Sequence, residues 1–296
     1  MGHKNKKTLI RQVQEKLVEK LAAGDSRHLD KVADRANGSS ITSSKIYSYG
    51  TLDAYMQQCC SFVKYAKSEH GAKTLDECRP FVNEFLQKSI NDGKSSYTIK
   101  LQSSALAKLY DCSSSEFIQT PSRSRDSITR SRGVAVRDAH FSEAKHKALI
   151  DFCCSTGLRR HELSALTGNC LRQDEHGNYQ IFVEHGKGGK SRLATVVGTG
   201  SQIHNVVSLC NKAGDNKVFQ SVPNGADIHH YRGLYAERLY KAAARPVSSL
   251  QSSEKYFCRG DRKGTVFDKN ALRVVSQNLG HNRISIVPAH YLYSME

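Results

Sequence analysis

The sequence predicts a mainly α-helical protein with a small β-sheet, divided into two domains. Apolar residues recur at helical spacing over roughly the first hundred positions of the 296-residue chain. A basic stretch with little apolar content follows at 119–140, and beyond it helical runs alternate with two short strand-like runs. We therefore expect an all-helical domain at 1–118, a linker at 119–140 and an α+β domain at 141–296.

The first domain is predicted to contain four helices joined by short polar turns. The apolar face of the first helix repeats every four residues, at Leu9, Val13, Leu17 and Leu21. This extra N-terminal helix and the loop after it occupy 1–40. The next helix is predicted to be capped by Thr51, the third is capped by Thr74, and Ser96 opens the fourth.

The second domain is predicted to be mixed. Helix signals occur at 142–154, 160–167, 201–212, 227–244, 269–279 and 284–294. The strand-like runs are Tyr179–Val183 and Arg192–Val197, and the glycines between them permit the positive φ of a hairpin turn. Glycines within 256–264 predict another turn or small hairpin.

Charge is the first indication of function. The chain carries 44 Lys and Arg against 28 Asp and Glu, a formal net charge of +16, which attracts polyanions. No apolar run approaches the roughly 18 to 20 residues that span a bilayer, so we expect nucleic acid rather than a membrane as the partner. The nine cysteines form no C-x-x-C pair, which favours reduced, mostly buried thiols in a cytoplasmic protein and no metal site.

Separate motifs in the second domain carry residues suited to phosphate chemistry. They are Thr156-Gly157-Leu158-Arg159-Arg160-His161-Glu162-Leu163, Gly186-Lys187-Gly188, His229-His230-Tyr231-Arg232, Leu279-Gly280-His281 and the late Tyr291. Taken singly, each is typical of an ordinary surface or packing residue. Taken together and in this order, they resemble the tyrosine recombinase (phage integrase) family, and in particular the integrases of conjugative or integrative mobile elements.

The resemblance implies a function for each of these residues. Arg159 and Arg232 would hold the scissile phosphate, and forked guanidinium bonds suit the charge that develops on its oxygens. Lys187 would protonate the departing 5′ oxygen, and His229 and His281 would assist the phosphate and the nucleophile. Glu162 would orient the cations. Tyr291 would attack and form a 3′-phosphotyrosine, without metal or cofactor.

The resemblance also implies a helical core-binding domain and a catalytic domain that form a C-shaped clamp around DNA. Basic side chains of the linker and of the 255–268 insertion are predicted DNA contacts, together with one lysine of the hairpin. These are Arg123, Arg125, Arg130, Arg132, Arg137, Lys190, Arg259, Arg262 and Lys263. A plain linker and a plain surface loop are the alternatives for these segments.

The nucleophile departs from the family pattern by one residue. The family places its tyrosine nine positions after the Leu-Gly-His histidine, where this chain has His290. We favour Tyr291, with Pro288 absorbing the extra residue by breaking the local helix, and Tyr293 is the alternative. Only five residues follow Tyr291, so we expect either a truncated chain or a different contact between subunits, for which the helix at 7–22 is a candidate.

The function expected from these residues is site-specific recombination in a bacterial cytoplasm, at the nucleoid. The enzyme would integrate or excise a mobile element through a Holliday junction, as a homotetramer on double-stranded attachment sites, with a directionality factor as a further partner. The alternatives are a monomeric topoisomerase of the type IB kind and a DNA-binding homologue whose active site has decayed. The DNA sequence that would be recognised is not predicted.

Overall fold

The computed structural model describes residues 7–38, 43–123, 141–186, 189–293 and 295. The chain divides into two compact units, Met1–Ser127 and Ile128–Glu296. The division falls within the stretch 119–140 that the sequence predicts as a linker. The predicted fold class, mainly α with a small β-sheet, is confirmed.

The regular elements of unit 1, over its described residues, are helices, apart from one isolated bridge between Leu21 and Ile46. Its helices are α1 (Leu9–Val18), α2 (Arg27–Ala36), α3 (Tyr49–His70), α4 (Leu75–Cys78), α5 (Val82–Asn91) and α6 (Ser96–Leu109). Helices α1, α3, α5 and α6 enclose one apolar core, in which Phe62 meets Phe85 edge to face with 5.4 Å between ring centroids. Edge-to-face contacts of this kind add to the stabilisation that burial provides.

Several helix boundaries in unit 1 differ from those predicted. Ser48, not Thr51, caps α3, because its hydroxyl accepts the Thr51 N–H at 3.2 Å. Thr74 caps α4 as predicted, but the run that follows it breaks at a 3₁₀ turn containing Pro80 before α5 begins. Helix α2 was not predicted, since none of its residues is buried and it therefore lacks an apolar signal.

The apolar face of α1 is covered within unit 1. Leu9, Val13 and Leu17 are buried, the last two completely, and they belong to the same core as α3 and α6. A face that is already packed cannot also serve as the contact between subunits. The suggestion that this helix replaces a longer C-terminal segment is therefore wrong as far as its apolar face is concerned.

Unit 2 combines helices with two small antiparallel sheets. The strands are β1 (Leu171–Gln173), β2 (Tyr179–Val183), β3 (Arg192–Thr195), β4 (Lys255–Phe257) and β5 (Val266–Asp268). The first three form one sheet in the order β1-β2-β3, and the last two form the hairpin of the insertion. Strand β1 was not predicted, because three residues are too few to show an alternating pattern.

The helices of unit 2 are α7 (Lys147–Thr156), α8 (Arg160–Ala165), α9 (Gly200–Ala213), α10 (Ile228–Ala243), α11 (Lys269–Asn278) and α12 (Ile286–His290). Helix α10 runs between two apolar clusters, one formed with α7 and α9 and the other with α11 and the C-terminal segment. Helix α10 packs against α7 and α11, and α11 in turn contacts α12.

Two further features concern the whole set of described residues. All nine cysteines are free thiols and seven of them are buried. No helix in the described part of the chain is long and apolar enough to cross a membrane.

Candidate active site

The turn that ends α7 positions the first candidate residue, Arg159. Gly157 has a φ of +60°, and a Cβ atom there would lie 2.2 Å from Cδ1 of Tyr235. Only glycine fits this combination of positive φ and close contact. The turn directs Arg159 to the N-cap of α8, where its N–H donates to Oε2 of Glu162 at 2.8 Å.

Glu162 connects two arginines inside the unit. Arg159 donates from Nη1 to Oε1 at 2.8 Å, while Arg192 donates from Nη1 and Nη2 to the two carboxylate oxygens at 2.8 and 2.7 Å. The Glu162 side chain has no solvent exposure. Burial raises the pKa of this carboxyl, but the hydrogen bonds and charge of Arg192, assisted by Arg159, outweigh it and lower the pKa to about 2.

Arg192 is a site residue that the sequence reasoning missed. Its side chain is 8% exposed, and its Nε donates to the carbonyl of Asn278 at 2.8 Å. The signal was present in β3, where Arg192 shares a face with the buried Ala194 while Leu193 between them is 47% exposed. A charged residue on the buried face of a strand requires an opposite charge, which Glu162 provides.

Arg232 lies on α10 and is 2% exposed. Its guanidinium donates to the carbonyls of Gly157 and Leu279, and its Nε donates to the hydroxyl of Tyr291 at 3.2 Å. Burial lowers the pKa of Arg232, and the neighbouring Arg159 adds to this, while Tyr291 acts in the opposite direction. Main-chain carbonyl oxygens therefore fix the orientation of the Arg232 guanidinium. Within the described part of the chain, Glu162 forms its ion pairs with Arg159 and Arg192, and no ion pair includes Arg232.

The end of α11 supplies acceptors for both arginines and then positions His281. The Leu279 carbonyl accepts from Arg159 Nη2 at 3.0 Å and also from Arg232. Gly280 has a φ of +65°, and a Cβ there would lie 2.9 Å from Cδ of Arg192. The Leu-Gly-His motif thus has a local explanation, since the glycine makes the turn and leaves room for the arginine.

Tyr291 is the tyrosine that lies among these cations. Its hydroxyl is 3.1 Å from Nε2 of His281 and 3.2 Å from Nε of Arg232. The ring centroids of His229 and His281 are 5.1 and 5.4 Å from that of Tyr291. Tyr293, the alternative nucleophile, instead has its ring 5.3 Å from the Arg262 guanidinium.

Comparisons with known proteins agree with this architecture. No protein-family model and no curated protein matches the chain. Among solved structures it is similar to the XerH site-specific recombinase bound to palindromic difH substrate in a post-cleavage complex. The TM-score is 0.51 at 16% identity, and the alignment covers 95% of this chain and 90% of that one. The chain has the tyrosine recombinase fold. A second similar structure is a fragment, residues 82–397, of the Tn1549 transposon integrase in complex with circular intermediate DNA. It aligns at 12% identity with a TM-score of 0.48, over 96% of this chain and 95% of that one.

The expectation that Pro288 breaks the local helix is wrong, because Pro288 lies inside α12. It is the third residue of α12, in the first turn, where its missing N–H costs no intrahelical hydrogen bond. Tyr291 follows the last residue of the helix, and its N–H donates to the Val287 carbonyl at 2.9 Å. The position nine residues after His281 is thus the last residue of α12, His290, and Tyr291 is the next residue along the chain.

Lys187 lies outside the described residues, but its neighbour Gly186 borders the site. A Cβ on Gly186 would lie 3.1 Å from Nη1 of Arg192 and 3.6 Å from Oε1 of Glu162. The hairpin between β2 and β3 therefore begins beside the carboxylate that holds Arg159. Lys190, on the other side of that turn, is exposed.

The predicted DNA contacts have different surroundings. Arg123, Arg259 and Lys263 are exposed, and the Arg123 guanidinium lies 5.7 Å from the ring centroid of Tyr97. Four linker arginines, Arg125, Arg130, Arg132 and Arg137, lie outside the described residues.

Arg262 requires a correction. It is 9% exposed, and its guanidinium donates to main-chain carbonyls of the C-terminal segment, so the structure gives it an internal role in place of a DNA contact. Among the described residues, no group of three or more His, Cys, Asp or Glu side chains is arranged to hold a metal ion.

Proposed function

We propose that the protein is a tyrosine-type site-specific DNA recombinase. The observation that carries this proposal is the hydroxyl of Tyr291 within hydrogen-bond distance of both Arg232 and His281, beside the Arg159–Glu162–Arg192 cluster. The fold it shares with XerH, a recombinase described in complex with its DNA substrate, supports DNA as the substrate. The net charge of +16 supports a polyanionic partner in general.

The two arginines are proposed to bind the scissile phosphate. In the pentacoordinate transition state, negative charge increases on the non-bridging oxygens, and fixed guanidinium donors stabilise that charge without reorganising. Arg159 and Arg232 both donate to the Leu279 carbonyl, so one turn of the chain sets the orientation of both side chains. Donors of this kind typically contribute about 3 kcal/mol each to lowering the barrier.

Tyr291 is proposed to attack the phosphorus through its phenolic oxygen. The P–Oη bond forms as the P–O5′ bond breaks, and the phenolic proton leaves to a base. His281 is the proposed acceptor, since its Nε2 lies 3.1 Å from the hydroxyl. His229, whose ring is 5.1 Å from that of Tyr291, is proposed to stabilise the phosphate at the exposed side of the site.

Lys187 is proposed to deliver the proton that the departing 5′ oxygen takes up. The resemblance to the family motif and the position of Gly186 at the edge of the site support this role. Glu162 is proposed to act only through the arginines that it holds. The product would be a 3′-phosphotyrosine bond that conserves the ester energy, so that the reverse attack by a 5′ hydroxyl rejoins DNA.

The wider reaction is proposed on the same basis. Two attachment sites would exchange strands through a Holliday junction in a tetramer, integrating or excising a mobile element, with a directionality factor as a further partner. Arg123, Lys190, Arg259 and Lys263, together with Arg125, Arg130, Arg132 and Arg137, are proposed to contact phosphates of the DNA. A bacterial cytoplasmic, nucleoid-associated location is proposed with this substrate.

The experiment that tests the function traps the covalent intermediate on whichever DNA sequence the protein cleaves. Sheared genomic DNA of the source organism, randomly nicked, is incubated with the protein and denatured, and the covalently attached DNA is captured and sequenced. A nick beside the cleavage point releases a short strand and makes the adduct irreversible. We expect adducts enriched in one sequence, retained in Tyr293→Phe and absent in Tyr291→Phe.

Other outcomes would point to the alternative functions. Adducts without any sequence enrichment would indicate a relaxing topoisomerase. Binding without any adduct would indicate a DNA-binding homologue with a decayed site.

A further inference from the structure

The insertion between α10 and α11 contains a buried arginine that the proposed reaction does not use. Arg262 lies at the end of a 3₁₀ turn, Gly260–Arg262, in the connection between β4 and β5. It is 9% exposed, whereas its basic neighbours Arg259 and Lys263 are exposed. A buried arginine needs acceptors for its donors, and here main-chain carbonyls provide them.

Those carbonyls belong to the segment that carries Tyr291. Arg262 donates from Nη1 to the Pro288 carbonyl at 3.1 Å and to the Leu292 carbonyl at 2.8 Å, and from Nη2 to the Met295 carbonyl. Pro288 lies three residues before the tyrosine and Leu292 directly after it. One side chain thus binds the main chain on both sides of the proposed nucleophile, and the Leu292 carbonyl that it binds also accepts the Met295 N–H at 3.1 Å.

Two aromatic rings also lie close to the same guanidinium. The ring centroids of Phe267, on β5, and Tyr293, in the C-terminal segment, are each 5.3 Å from its central carbon. Cation–π contacts of desolvated guanidinium groups are stabilising and favour one orientation of the plane. Tyr293 therefore packs against the arginine that secures the segment, while Tyr291 points to the cationic cluster.

The base of the hairpin is fixed to the rest of unit 2. Arg245, two residues after the end of α10, donates from Nε to Asp268 Oδ2 at 2.9 Å and from Nη2 to Oδ1 at 3.1 Å. Tyr240 accepts the Asp268 N–H at 2.9 Å, and the Asp268 side chain caps α11. The hairpin is therefore anchored to the two helices that carry Arg232 and lead to His281, so it can act as a rigid support.

We propose that Arg262 is a positioning residue for the nucleophile, which ties the segment carrying Tyr291 to the inserted hairpin. The hairpin thereby holds the Tyr291 hydroxyl against Arg232 and His281 within a single chain. This inference rests on the proposed function for its consequence in catalysis. It assigns the insertion an internal role that its basic composition alone does not indicate.

The test separates positioning from DNA contact by comparing neighbouring basic residues. Arg262→Gln is measured against Arg259→Gln and Lys263→Gln, which remove exposed charges from the same insertion. Each variant is assayed for the rate of adduct formation on the DNA site recovered from the trapping experiment, and for DNA affinity as a function of salt. Hydrogen exchange of peptides covering 284–296 is followed in the full chain without DNA.

For Arg262→Gln we expect cleavage slower by about tenfold or more, since a displacement of about 1 Å can cost roughly 100-fold. DNA affinity and its salt slope should be unchanged, whereas loss of one phosphate contact lowers the slope by about 0.9. Exchange over 284–296 should increase in this variant alone. Arg262→Lys keeps the charge but not the forked geometry, and it serves the same comparison if the glutamine variant does not fold.

The opposing results are equally specific. Unchanged cleavage and unchanged exchange over 284–296 would overturn the proposal, as would a loss of DNA affinity that matches the loss of rate. If the native chain forms no adduct at all, the proposed function fails instead. The exchange measurement then still decides whether Arg262 secures the C-terminal segment.

Discussion

Replacing Arg192 with glutamine should destabilise the protein by about 3 kcal/mol at neutral pH. Arg192 makes two hydrogen bonds to the fully buried carboxylate of Glu162, at 2.8 and 2.7 Å. Removing one partner of a buried ion pair typically costs about 3 to 5 kcal/mol, because the other charge stays buried without compensation. We expect the lower end of that range, since Arg159 still binds Glu162 through its guanidinium and its N–H.

The pKa of Glu162 reflects the same hydrogen bonds and leads to a stability contribution of similar size. Its depression from 4.5 to about 2 corresponds to about 3 kcal/mol, at about 1.4 kcal/mol for each pKa unit. Because the folded-state pKa is lowered, this stability is present above pH about 4.5 and is lost as the pH falls towards about 2. In Glu162→Gln this part of the acid dependence should disappear.

Urea unfolding followed by circular dichroism measures both effects. The free energy of unfolding is determined between pH 7 and the acid limit for the native chain, Arg192→Gln and Glu162→Gln, with Glu175→Gln as the matched control. The Glu175 side chain is 86% exposed, and we expect its replacement to change stability by less than about 0.5 kcal/mol. An Arg192→Gln variant within about 0.5 kcal/mol of the native chain would refute the reasoning.

Three further predictions concern the turn before Arg159 and the proposed chemistry. Gly157→Ala should lower the free energy of unfolding by about 2 kcal/mol or more, because the residue has a positive φ and its Cβ would overlap a tyrosine ring of α10. Gly177→Ala should lower it less, because Gly177 has a positive φ but open space around it, and urea unfolding of both variants measures the difference. Lys187→Ala should slow single-turnover cleavage of normal DNA about 100-fold or more. The same variant should be slowed much less on DNA in which sulfur replaces the 5′ bridging oxygen, because a thiolate leaves without taking up a proton. An equimolar mixture of Tyr291→Phe and Arg159→Ala chains should form no adduct, because both residues belong to one site within the chain. Adduct formation in the mixture, when neither variant forms it alone, would mean that chains share their residues.

The sequence predicted much of the site because its elements are locally encoded. Helical periodicity and spacing placed His229 and Arg232 on one helix face, and the glycines at 157 and 280 marked turns that the structure explains by positive φ. The structure places the Tyr291 hydroxyl within hydrogen-bond distance of Arg232 and His281, and the choice of Tyr291 over Tyr293 as nucleophile stays a prediction.

What the sequence did not predict depends on contacts between distant segments. The partner of Arg192 is Glu162, 30 residues away, and nothing local distinguishes this arginine from an exposed one except the buried face of β3. Arg262 was taken for a DNA contact because it stands among basic residues in a glycine-containing loop. Its burial follows from the return of the C-terminal segment onto the hairpin, which only the tertiary structure reveals.

The boundaries show the same limit at a smaller scale. Ser48 and Thr51 are both competent caps, and the choice between them depends on where α3 meets the core of unit 1. Pro288 was expected to end a helix, but the structure begins one two residues before it, and Pro288 is then tolerated in the first turn.

The most direct test of the central claim is the identity and polarity of the covalent bond. Trypsin cleaves after Arg283, so the peptide 284–296 carries both candidate tyrosines, and tandem mass spectrometry of the trapped adduct separates them. We predict nucleotide mass on Tyr291, linked to a 3′ phosphate, with a free 5′ hydroxyl on the released strand. Modification of Tyr293, attachment to a 5′ phosphate, or an adduct outside this peptide would contradict the account.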